Sequence, residues 1–447
     1  MNRYYLKCTE CGAEYEDDRF RLRCDQDHGP ALLRSMYRDT KFSPRANNPG
    51  MFKFADYLPV ERMLNVEGTP VSYRSEKLGA YLGLKNLFII FNGYWPERDA
   101  RMQTASFKEL EAPPVLARVP DDHEGTIVVA SAGNTGRAFA HICSMNRIPL
   151  ILVIPEDRLD EIWSPLPYDD CVKMLLAAGN SDYFDAITLA GKVTGIDGFF
   201  PEGGAANVAR RDGMATTVLD AVWTIGRIPD HYFQAVGSGT GGVAAWESCL
   251  RLLEDGGYGD VRMKLHLAQN APFIPMTEAW NKGLRELPPL DEEKAKEEIH
   301  HIKAKVLSNR KPPYSLTGGV FDVLSDSGGS MYAVENDEVE RAMQLFDELE
   351  GTDIHPAGGV ALGALMQAVE RKTVAVEDVV ALNITGGGER RAKAEFDLHY
   401  LKPFASFSVE EIHHNTIQDK LRALLKESVL SSGDRVSNGI GAGPARS

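Results

Sequence analysis

The sequence predicts an α/β protein whose sheets are mostly parallel. From about residue 86, apolar runs of strand length alternate with longer segments of helical pattern, which is typical of βαβ units. Three of the apolar runs lead directly into glycine-rich turns, SAGNTG (131–136), GSGTGG (237–242) and TGGG (385–388). Ligands of such proteins bind at the carboxyl ends of the strands, so these turns mark the predicted binding edge.

The elements of this pattern follow one another along the chain. The predicted strands are short and apolar: LFIIF (87–91), TIVVA (126–130), IPLILVIP (148–155), HYFQAV (231–236), KLHLAQ (264–269) and VVALNI (379–384). The helices between them include RAFAHICSM (137–145) and VAAWESCLRLL (243–253). Near the C-terminus, SVEEIHHNTIQDKLRALLKES begins with the capping box Ser408-x-x-Glu411 and predicts a single helix.

Composition and charge exclude several classes of protein. The 447 residues are 43% hydrophobic and 25% charged, as in a globular protein. A net charge of −15 argues against binding to nucleic acid or to an anionic membrane surface. No apolar run reaches the roughly 18 residues of a membrane span, and MNRYYLKCTECG lacks the apolar stretch of a signal peptide. We therefore expect a cytoplasmic protein with no membrane partner, in which Cys143, Cys171 and Cys249 are buried and reduced.

A second group of cysteines lies at the N-terminus. Cys8-x-x-Cys11 followed by Cys24 is three quarters of a zinc ribbon, and His28 can complete a site with three cysteines and one histidine. Asp25 and Asp27 are alternative fourth ligands. The residues leave open whether this segment binds a structural zinc or is a small knuckle without metal.

The segment TASFKELEA (104–112) contains the most reactive candidate side chain. Ser106-x-x-Glu109 is a capping box, which places Lys108 in the first turn of a short helix. The helix N-terminus disfavours a positive charge, so this amine is expected to ionise less readily and to act as a nucleophile. We expect Pro113 and Pro114 to stop the helix early. The alternative is a solvated lysine on a capped surface helix.

The glycine turns suit anions of different kinds. GSGTGG, between a strand and a helix, can form a nest of amides that holds a phosphate. It lacks the lysine of a Walker loop and the spacing of a dinucleotide fingerprint, so a monophosphate ester is the expected guest, unless the turn is merely tight. SAGNTG suits a carboxylate, with Arg137 beside it as the ligand of a second anion or as a solvated arginine. In TGGG, Thr385 offers a hydroxyl to a ligand or caps the turn.

Together, SFK and the three strand–glycine junctions, in this order, resemble the fold-type II pyridoxal-phosphate enzymes of the threonine synthase and tryptophan synthase β type. The resemblance runs from GTPVSY (68–73) to TGGG. It implies that Lys108 forms the covalent link to pyridoxal 5'-phosphate and is the catalytic residue. It also implies further cofactor-binding residues, namely Asn134, Gly237, Ser238, Gly239, Thr240, Gly241 and Thr385. The implied substrate-binding residues are Ser106, Ser131, Gly133, Thr135, Arg137 and Arg101.

The stretch FNGYWPER with SFKELEA is similar to the cysteate synthases of methanogens, which serve coenzyme M biosynthesis. This resemblance implies replacement of the phosphate of O-phospho-L-serine by sulfite, giving L-cysteate. Both substrates are anions, and the candidate cations are Arg98, Arg101, Arg137, Arg210 and Arg211. The alternatives are a threonine synthase acting on O-phosphohomoserine, a cysteine synthase using sulfide, and a non-enzymatic nucleotide-binding protein.

The resemblance also implies how the chain is organised. The expected parts are a zinc-ribbon-like module (1–34), a large cofactor-binding domain (60–100 and 200–430) with a charged insert (277–312), a small mobile domain (101–199) and a flexible tail (431–447). Within the insert, DEEKAKEEIHHIKAKVL (291–307) predicts a largely exposed helix. Enzymes of this type form homo-oligomers, so a dimer or trimer is expected.

Overall fold

A computed structural model of the protein describes residues 3–131 and 133–433. Two compact units make up the chain. Unit 1 contains the residues up to Asp122 together with Gly203–Leu398, and unit 2 contains His123–Glu202 together with the residues from His399 onward. None of the helices in the described ranges combines the length and the apolar character needed to cross a bilayer.

The strands of the described residues alternate with helices along much of the chain. In chain order they are β1 (Tyr4–Cys8), β2 (Glu14–Tyr15), β3 (Leu33–Tyr37), β4 (Val71–Arg74), β5 (Asn86–Phe91), β6 (Tyr94–Trp95), β7 (Ala100–Arg101), β8 (Thr126–Ala130), β9 (Leu150–Pro155), β10 (Trp163–Ser164), β11 (Val172–Ala178), β12 (Phe199–Pro201), β13 (His231–Ala235), β14 (Lys264–Asn270), β15 (Ser330–Val334), β16 (Val379–Ile384), β17 (His399–Tyr400) and β18 (Pro403–Ser408).

The α-helices follow the same order. They are α1 (Lys77–Leu82), α2 (Ala112–Arg118), α3 (Asn134–Asn146), α4 (Tyr183–Thr194), α5 (Val208–Ile225), α6 (Thr240–Asp255), α7 (Pro275–Asn281), α8 (Glu292–His301), α9 (Val320–Ser327), α10 (Asn336–Glu350), α11 (Pro356–Glu370), α12 (Glu389–Glu395), α13 (Val409–His413) and α14 (Ile417–Gly433). Each predicted strand overlaps an observed one, because an apolar run with buried faces on both sides suits the interior of a parallel sheet.

Unit 1 is built on a six-stranded sheet in the order β15-β14-β13-β16-β5-β4. All neighbouring pairs are parallel except β4 with β5 at the edge. Strand β16 lies in the middle and is buried along its whole length. The ends of β13 and β16 therefore lie side by side, and this brings the turns GSGTGG and TGGG to the same edge of the sheet.

The N-terminal segment packs into unit 1 through a small sheet in the order β2-β1-β3. Alternate residues of β1 are buried, Tyr4, Leu6 and Cys8, and they join the same apolar core as Val218 of α5 and Trp246 of α6. The last strand of this sheet ends at Tyr37, three residues beyond the predicted limit of the module. Apolar burial thus attaches the module to the large unit.

Unit 2 contains a five-stranded sheet in the order β12-β8-β9-β11-β18, with all neighbouring strands parallel. Its limits differ from those of the predicted small domain, because residues 101–122 belong to unit 1 and the chain returns at residue 399. The return adds β18 to the edge of the sheet, where Phe407 is buried against the apolar core. That the small domain moves stays a prediction.

Two helix predictions need correction. The C-terminal segment forms two helices, because α13 ends at His413 and α14 begins at Ile417, although the capping box of Ser408 and Glu411 is present. The helix in the charged insert is shorter than predicted and ends at His301, since the next residue, Ile302, turns into a small apolar core. The predicted tail begins inside α14, and from residue 434 it lies outside the described residues.

The singly placed cysteines follow the expectation in part. All are free thiols, and Cys143 and Cys249 are buried, whereas Cys171 is half-buried. Burial raises the pKa of the Cys249 thiol to about 11, which keeps it protonated and unreactive at neutral pH.

Candidate active site

The segment that carries Lys108 is held against the turn that follows β16. The amide of Phe107 donates to the carbonyl of Thr385 at 3.1 Å, and the amide of Gly387 donates to the carbonyl of Ala105 at 3.1 Å. Ala105 adopts a left-handed backbone with φ of 54°, which turns the chain into this pairing. The backbone of Lys108 is therefore fixed one residue from a direct contact with Thr385.

The local structure around Lys108 differs from the predicted helix. Phe107–Leu110 form one turn of 3₁₀ helix, capped by Ser106, whose Oγ accepts from the amide of Lys108 at 3.4 Å. The capping box predicts that the Glu109 carboxylate accepts from the amide of Ser106. This prediction is wrong, because the carboxylate accepts from the amide of Thr104.

The two prolines after Lys108 also act differently from the prediction. Pro113 and Pro114 lie in the first turn of α2, so they start a helix where they were expected to end one. This is possible because the amides of a first helical turn have no partner inside the helix, and proline lacks an amide hydrogen.

The side chain of Lys108 is not a solvated surface group. Its Nζ lies 2.6 Å from Oε1 of Glu111 and 4.6 Å from the centre of the Phe107 ring. Glu111 is fully buried, and its other oxygen pairs with Arg210 at 2.7 Å. The alternative of a lysine on a capped surface helix is therefore wrong, because the amine is paired with a buried carboxylate.

The turn GSGTGG joins β13 to α6 and presents unpaired amides. In the described part of the chain, the amides of Ser238, Gly239, Gly241 and Gly242 donate to no other group, whereas that of Thr240 donates to the Ser238 hydroxyl at 3.3 Å. These amides lie at the N-terminus of a 16-residue helix, where the helix dipole also favours an anion.

Close packing excludes a side chain at two glycines of this turn. Gly239 has a φ of +80°, and a methyl group on it would collide with Val320. A methyl group on Gly241 would collide with the amide of Gln234, which Tyr232 and Asn383 hold in place. The turn is thus a cradle of backbone amides that fits a phosphate group.

The turn SAGNTG in unit 2 is organised by its own side chains. The hydroxyl of Ser131 accepts from the amides of Gly133 at 3.2 Å and Gly136 at 2.8 Å, and so caps α3. Residue 132 lies outside the described residues. Asn134 and Thr135 are half-buried in the first turn of α3.

Arg137 is the charged group of this turn. Its side chain is 1% exposed, it donates from Nη2 to Oδ1 of Asn134 at 2.7 Å, and its guanidinium lies 4.3 Å from the centre of the Trp163 ring. The alternative of a solvated arginine on the helix face is wrong. The sequence does not indicate the contact between Trp163 and Arg137, because these residues lie in different segments of the chain.

Comparison with known proteins identifies the family. Residues 64–386 match the family described as pyridoxal-phosphate dependent enzymes. The cysteate synthase of Methanosarcina mazei is 48% identical over 413 residues, which are 92% of this chain and 98% of that protein. The chain belongs to the cysteate synthase family of pyridoxal-phosphate-dependent enzymes. Two further members, from Methanosarcina acetivorans and Methanoculleus marisnigri, are 46% and 43% identical over 92% and 95% of this chain, and each is covered to 98%.

Solved structures show the same fold at low identity. Maize serine racemase matches with a TM-score of 0.54 at 15% identity, over 71% of this chain and 88% of the other. Threonine deaminase isoform 2 of Solanum lycopersicum has a TM-score of 0.54 at 16% identity, over 83% and 98%. The predicted fold class, two open parallel α/β units of a fold-type II enzyme, is confirmed, and pyridoxal phosphate is the cofactor of the family.

The arginines predicted to meet anions differ in their surroundings. Arg211 does not fit the role of binding a substrate anion, because it is fully buried. Its guanidinium pairs with Glu247 at 3.1 Å and donates to the carbonyls of Ala205 and Leu33. Arg98 is exposed and lies over the Tyr73 ring at 3.8 Å. Arg101 is exposed and donates to Asp99 at 3.2 Å. Arg137 is fully buried and Arg210 is partly buried, but the guanidinium of Arg210 is already paired with Glu111.

The N-terminal cysteines converge as the spacing predicts. The ligand atoms of Cys8, Cys11, Cys24 and His28 all lie within 4.8 Å of one another. The alternative ligand Asp25 is instead paired with Arg21 at 2.7 Å. The donor set of three thiols and one imidazole suits a tetrahedral zinc.

Hydrogen bonds around the cluster favour the thiolate form of Cys24, which is the form that binds metal ions. Desolvation alone would raise the pKa of Cys24, but hydrogen bonds from Tyr15 and the amide of Gln26 lower it to about 6. The carbonyl of Gly29, followed by the contact with Cys24, raises the pKa of His28 to about 9. A metal would displace the proton from His28, because only the neutral imidazole is a ligand.

The zinc prediction can be tested by metal analysis. The purified protein should contain about one zinc per chain, and Cys24→Ser should lose it, because a site with three protein ligands binds far more weakly. Cys171→Ser is the matched control, since this half-buried thiol lies outside the cluster, and it should retain the metal. Elemental analysis of all three proteins measures this, and zinc retained by Cys24→Ser would show that the cluster is not the binding site.

Proposed function

We propose that this chain synthesises L-cysteate by replacing the phosphate of O-phospho-L-serine with sulfite. The observation that carries the proposal is the 48% identity to a cysteate synthase across 92% of this chain and 98% of the relative. The two anionic substrates fit a protein whose turn GSGTGG offers unpaired amides and whose Arg137 is buried beside the turn SAGNTG. A cytoplasmic homo-oligomer, a dimer or trimer, is the proposed form, and light scattering of the purified protein tests its mass.

The candidate residues have distinct proposed roles toward the cofactor. Lys108 would hold it covalently, and Thr385, whose backbone carbonyl accepts from the amide of Phe107, would offer its hydroxyl to the pyridine nitrogen. The amides of the cradle, Gly237 to Gly241, bind its phosphate, and the amide of Asn134 binds its phenolic oxygen. When bound, pyridoxal phosphate withdraws electrons from the α-carbon of an amino acid joined to it, so that a β substituent can leave.

Thr385 supports an elimination rather than a racemisation. A neutral hydroxyl cannot hold a protonated pyridine nitrogen as an aspartate would, so the ring is a moderate electron sink. A moderate sink is enough when the substrate has a good leaving group such as phosphate. Loss of phosphate followed by addition of sulfite at the β-carbon is therefore the chemistry that this residue favours.

The remaining steps depend on groups of the chain. Lys108, once free, removes the α-proton as a general base and returns it after sulfite has added. Ser131, Gly133 and Thr135 bind the substrate carboxylate, and Arg137 binds the second anion, phosphate or sulfite. Ser106 is fully buried and caps the Lys108 turn, so we place its role in orienting Lys108. Arg101 is proposed to meet an incoming anion at the surface.

Phosphate release from two phosphoesters distinguishes the candidate reactions. O-phospho-L-serine with sulfite should release phosphate and form cysteate. O-phosphohomoserine should be inert, because its extra methylene puts the phosphate on the γ-carbon instead of the β-carbon. Turnover of phosphohomoserine to threonine without sulfite would instead assign threonine synthase activity. Sulfide in place of sulfite tests the cysteine synthase alternative in the same assay.

A further inference from the structure

A buried carboxylate joins two basic side chains beside the proposed cofactor-binding lysine. Oε1 of Glu111 lies 2.6 Å from Lys108 Nζ, and Oε2 lies 2.7 Å from Arg210 Nη2. The side chain of Glu111 is 0% exposed, that of Lys108 is 21% exposed and that of Arg210 is 13% exposed. Each oxygen of one buried carboxylate thus holds a different cation.

Packing of two elements fixes this geometry. Glu111 ends the 3₁₀ turn and begins α2, with its amide donating to the carbonyl of Lys108 at 3.1 Å. Arg210 lies in the first turn of α5, which packs so closely that a methyl group on Gly213 would collide with the carbonyl of Leu110. Glu111 and Arg210 therefore cannot separate unless α2 or α5 moves.

Other charged groups of the same elements are engaged elsewhere. Glu109 accepts from the amide of Thr104, Arg118 of α2 pairs with Asp17 at 2.5 Å, and Arg211 of α5 pairs with Glu247 at 3.1 Å. Asp212, the next residue of α5, pairs with Arg251 at 2.5 Å. Glu111 is a carboxylate of these elements that lies in direct contact with the lysine amine, at 2.6 Å.

We propose that Glu111 is the counter-ion of the free Lys108 amine and that Arg210 anchors Glu111. The inference rests on the proposed function, in which Lys108 is released from the cofactor and then holds the α-proton. The ammonium formed at that moment lies against a carboxylate, which stabilises it and keeps it near the reacting carbon. Both are positioning residues, because they act through Lys108.

Arg210 supplies a partner for the Glu111 carboxylate when Lys108 is joined to the cofactor. A buried carboxylate without a cation is strongly disfavoured. When Lys108 is joined to the cofactor, its nitrogen would no longer be a free ammonium paired with Glu111, whereas the contact of Glu111 with Arg210 at 2.7 Å does not involve Lys108. Arg210 therefore holds the carboxylate in place for the return of the amine.

The test measures how fast cofactor-free protein takes up pyridoxal phosphate as a function of pH. Only the neutral amine reacts, so the pH midpoint of the loading rate reports how strongly the ammonium is stabilised. Glu111→Gln should move the midpoint down by about one to three pH units, since an opposite charge at this distance favours the charged form by that amount. Arg210→Met should move it up, because the carboxylate then acts on Lys108 alone.

Matched variants separate this role from a structural one. Lys53 and Asp220 form a similarly buried pair at 2.7 Å on the same unit, with 16% and 5% exposure, so Asp220→Asn should leave the midpoint unchanged. Arg210→Lys keeps the charge and should restore the wild-type midpoint. If Glu111→Gln fails to fold, Glu111→Asp keeps the charge at a longer distance and should give a smaller downward shift.

The outcomes also separate this inference from the proposed function. Shifts in the same direction for Glu111→Gln and Arg210→Met, or no shift in either, would overturn the counter-ion role while leaving Lys108 as the attachment site. Wild-type protein that never takes up pyridoxal phosphate would instead overturn the proposed function itself.

Discussion

Lys108→Ala should lose at least about 10⁴-fold in the rate of phosphate release from O-phospho-L-serine, because one side chain supplies both the covalent link and the general base. The wild-type protein should be yellow, and borohydride should fix the cofactor to Lys108. The variant should lack this fixed cofactor. Absorbance spectra and mass spectrometry of the reduced proteins measure the link, and a phosphate assay measures the rate.

A second lysine serves as the control for this experiment. Lys53 is also paired with a buried carboxylate on unit 1, at 2.7 Å from Asp220. Lys53→Ala should keep the yellow colour and the borohydride-fixed cofactor. Cofactor that remains covalently fixed in Lys108→Ala would show that another lysine forms the link, and the proposed roles of Glu111 and Arg210 would fall with it.

Gly241→Ala should weaken the binding of pyridoxal phosphate by about 10- to 150-fold, which corresponds to the loss of about 1.5–3 kcal/mol for a hydrogen bond to a charged group. The added methyl group collides with Gln234, whose side chain is held by Tyr232 and Asn383, so the start of α6 must move. Its amides then no longer point into the cradle. Equilibrium titration of cofactor-free protein gives the Kd.

The other end of the same helix provides the control for Gly241. Gly256 caps α6 in the left-handed region, with a φ of +70° and open space around it. Gly256→Ala should therefore lower the thermal stability without changing the Kd of the cofactor. Pyridoxal without its phosphate should bind Gly241→Ala and wild type equally well. A Gly241→Ala variant that loses affinity for both compounds would show a general disruption rather than a loss of phosphate contacts.

Sequence patterns within short segments are sufficient to predict most of the fold. The strands β8, β13 and β16 are predictable because a run of buried apolar residues next to a glycine turn has few other conformations available. The segment around Lys108 was harder. Its capping residue was correctly identified, but a 3₁₀ turn and a helix that begins at two prolines have nearly the same sequence signal as one interrupted helix.

The fold class, the family and the convergence of the N-terminal cysteines can be predicted from the chain alone, because they depend on residues close together in the sequence or on the order of motifs. That residues 237–241 bind a phosphate stays a prediction. Which charged side chains pair with one another depends on tertiary packing. It paired Arg211 with Glu247 and Arg210 with Glu111, two neighbouring arginines with different roles, since successive residues of a helix point about 100° apart. It also placed β18 in unit 2. Contacts between distant segments follow from packing, which no local pattern records.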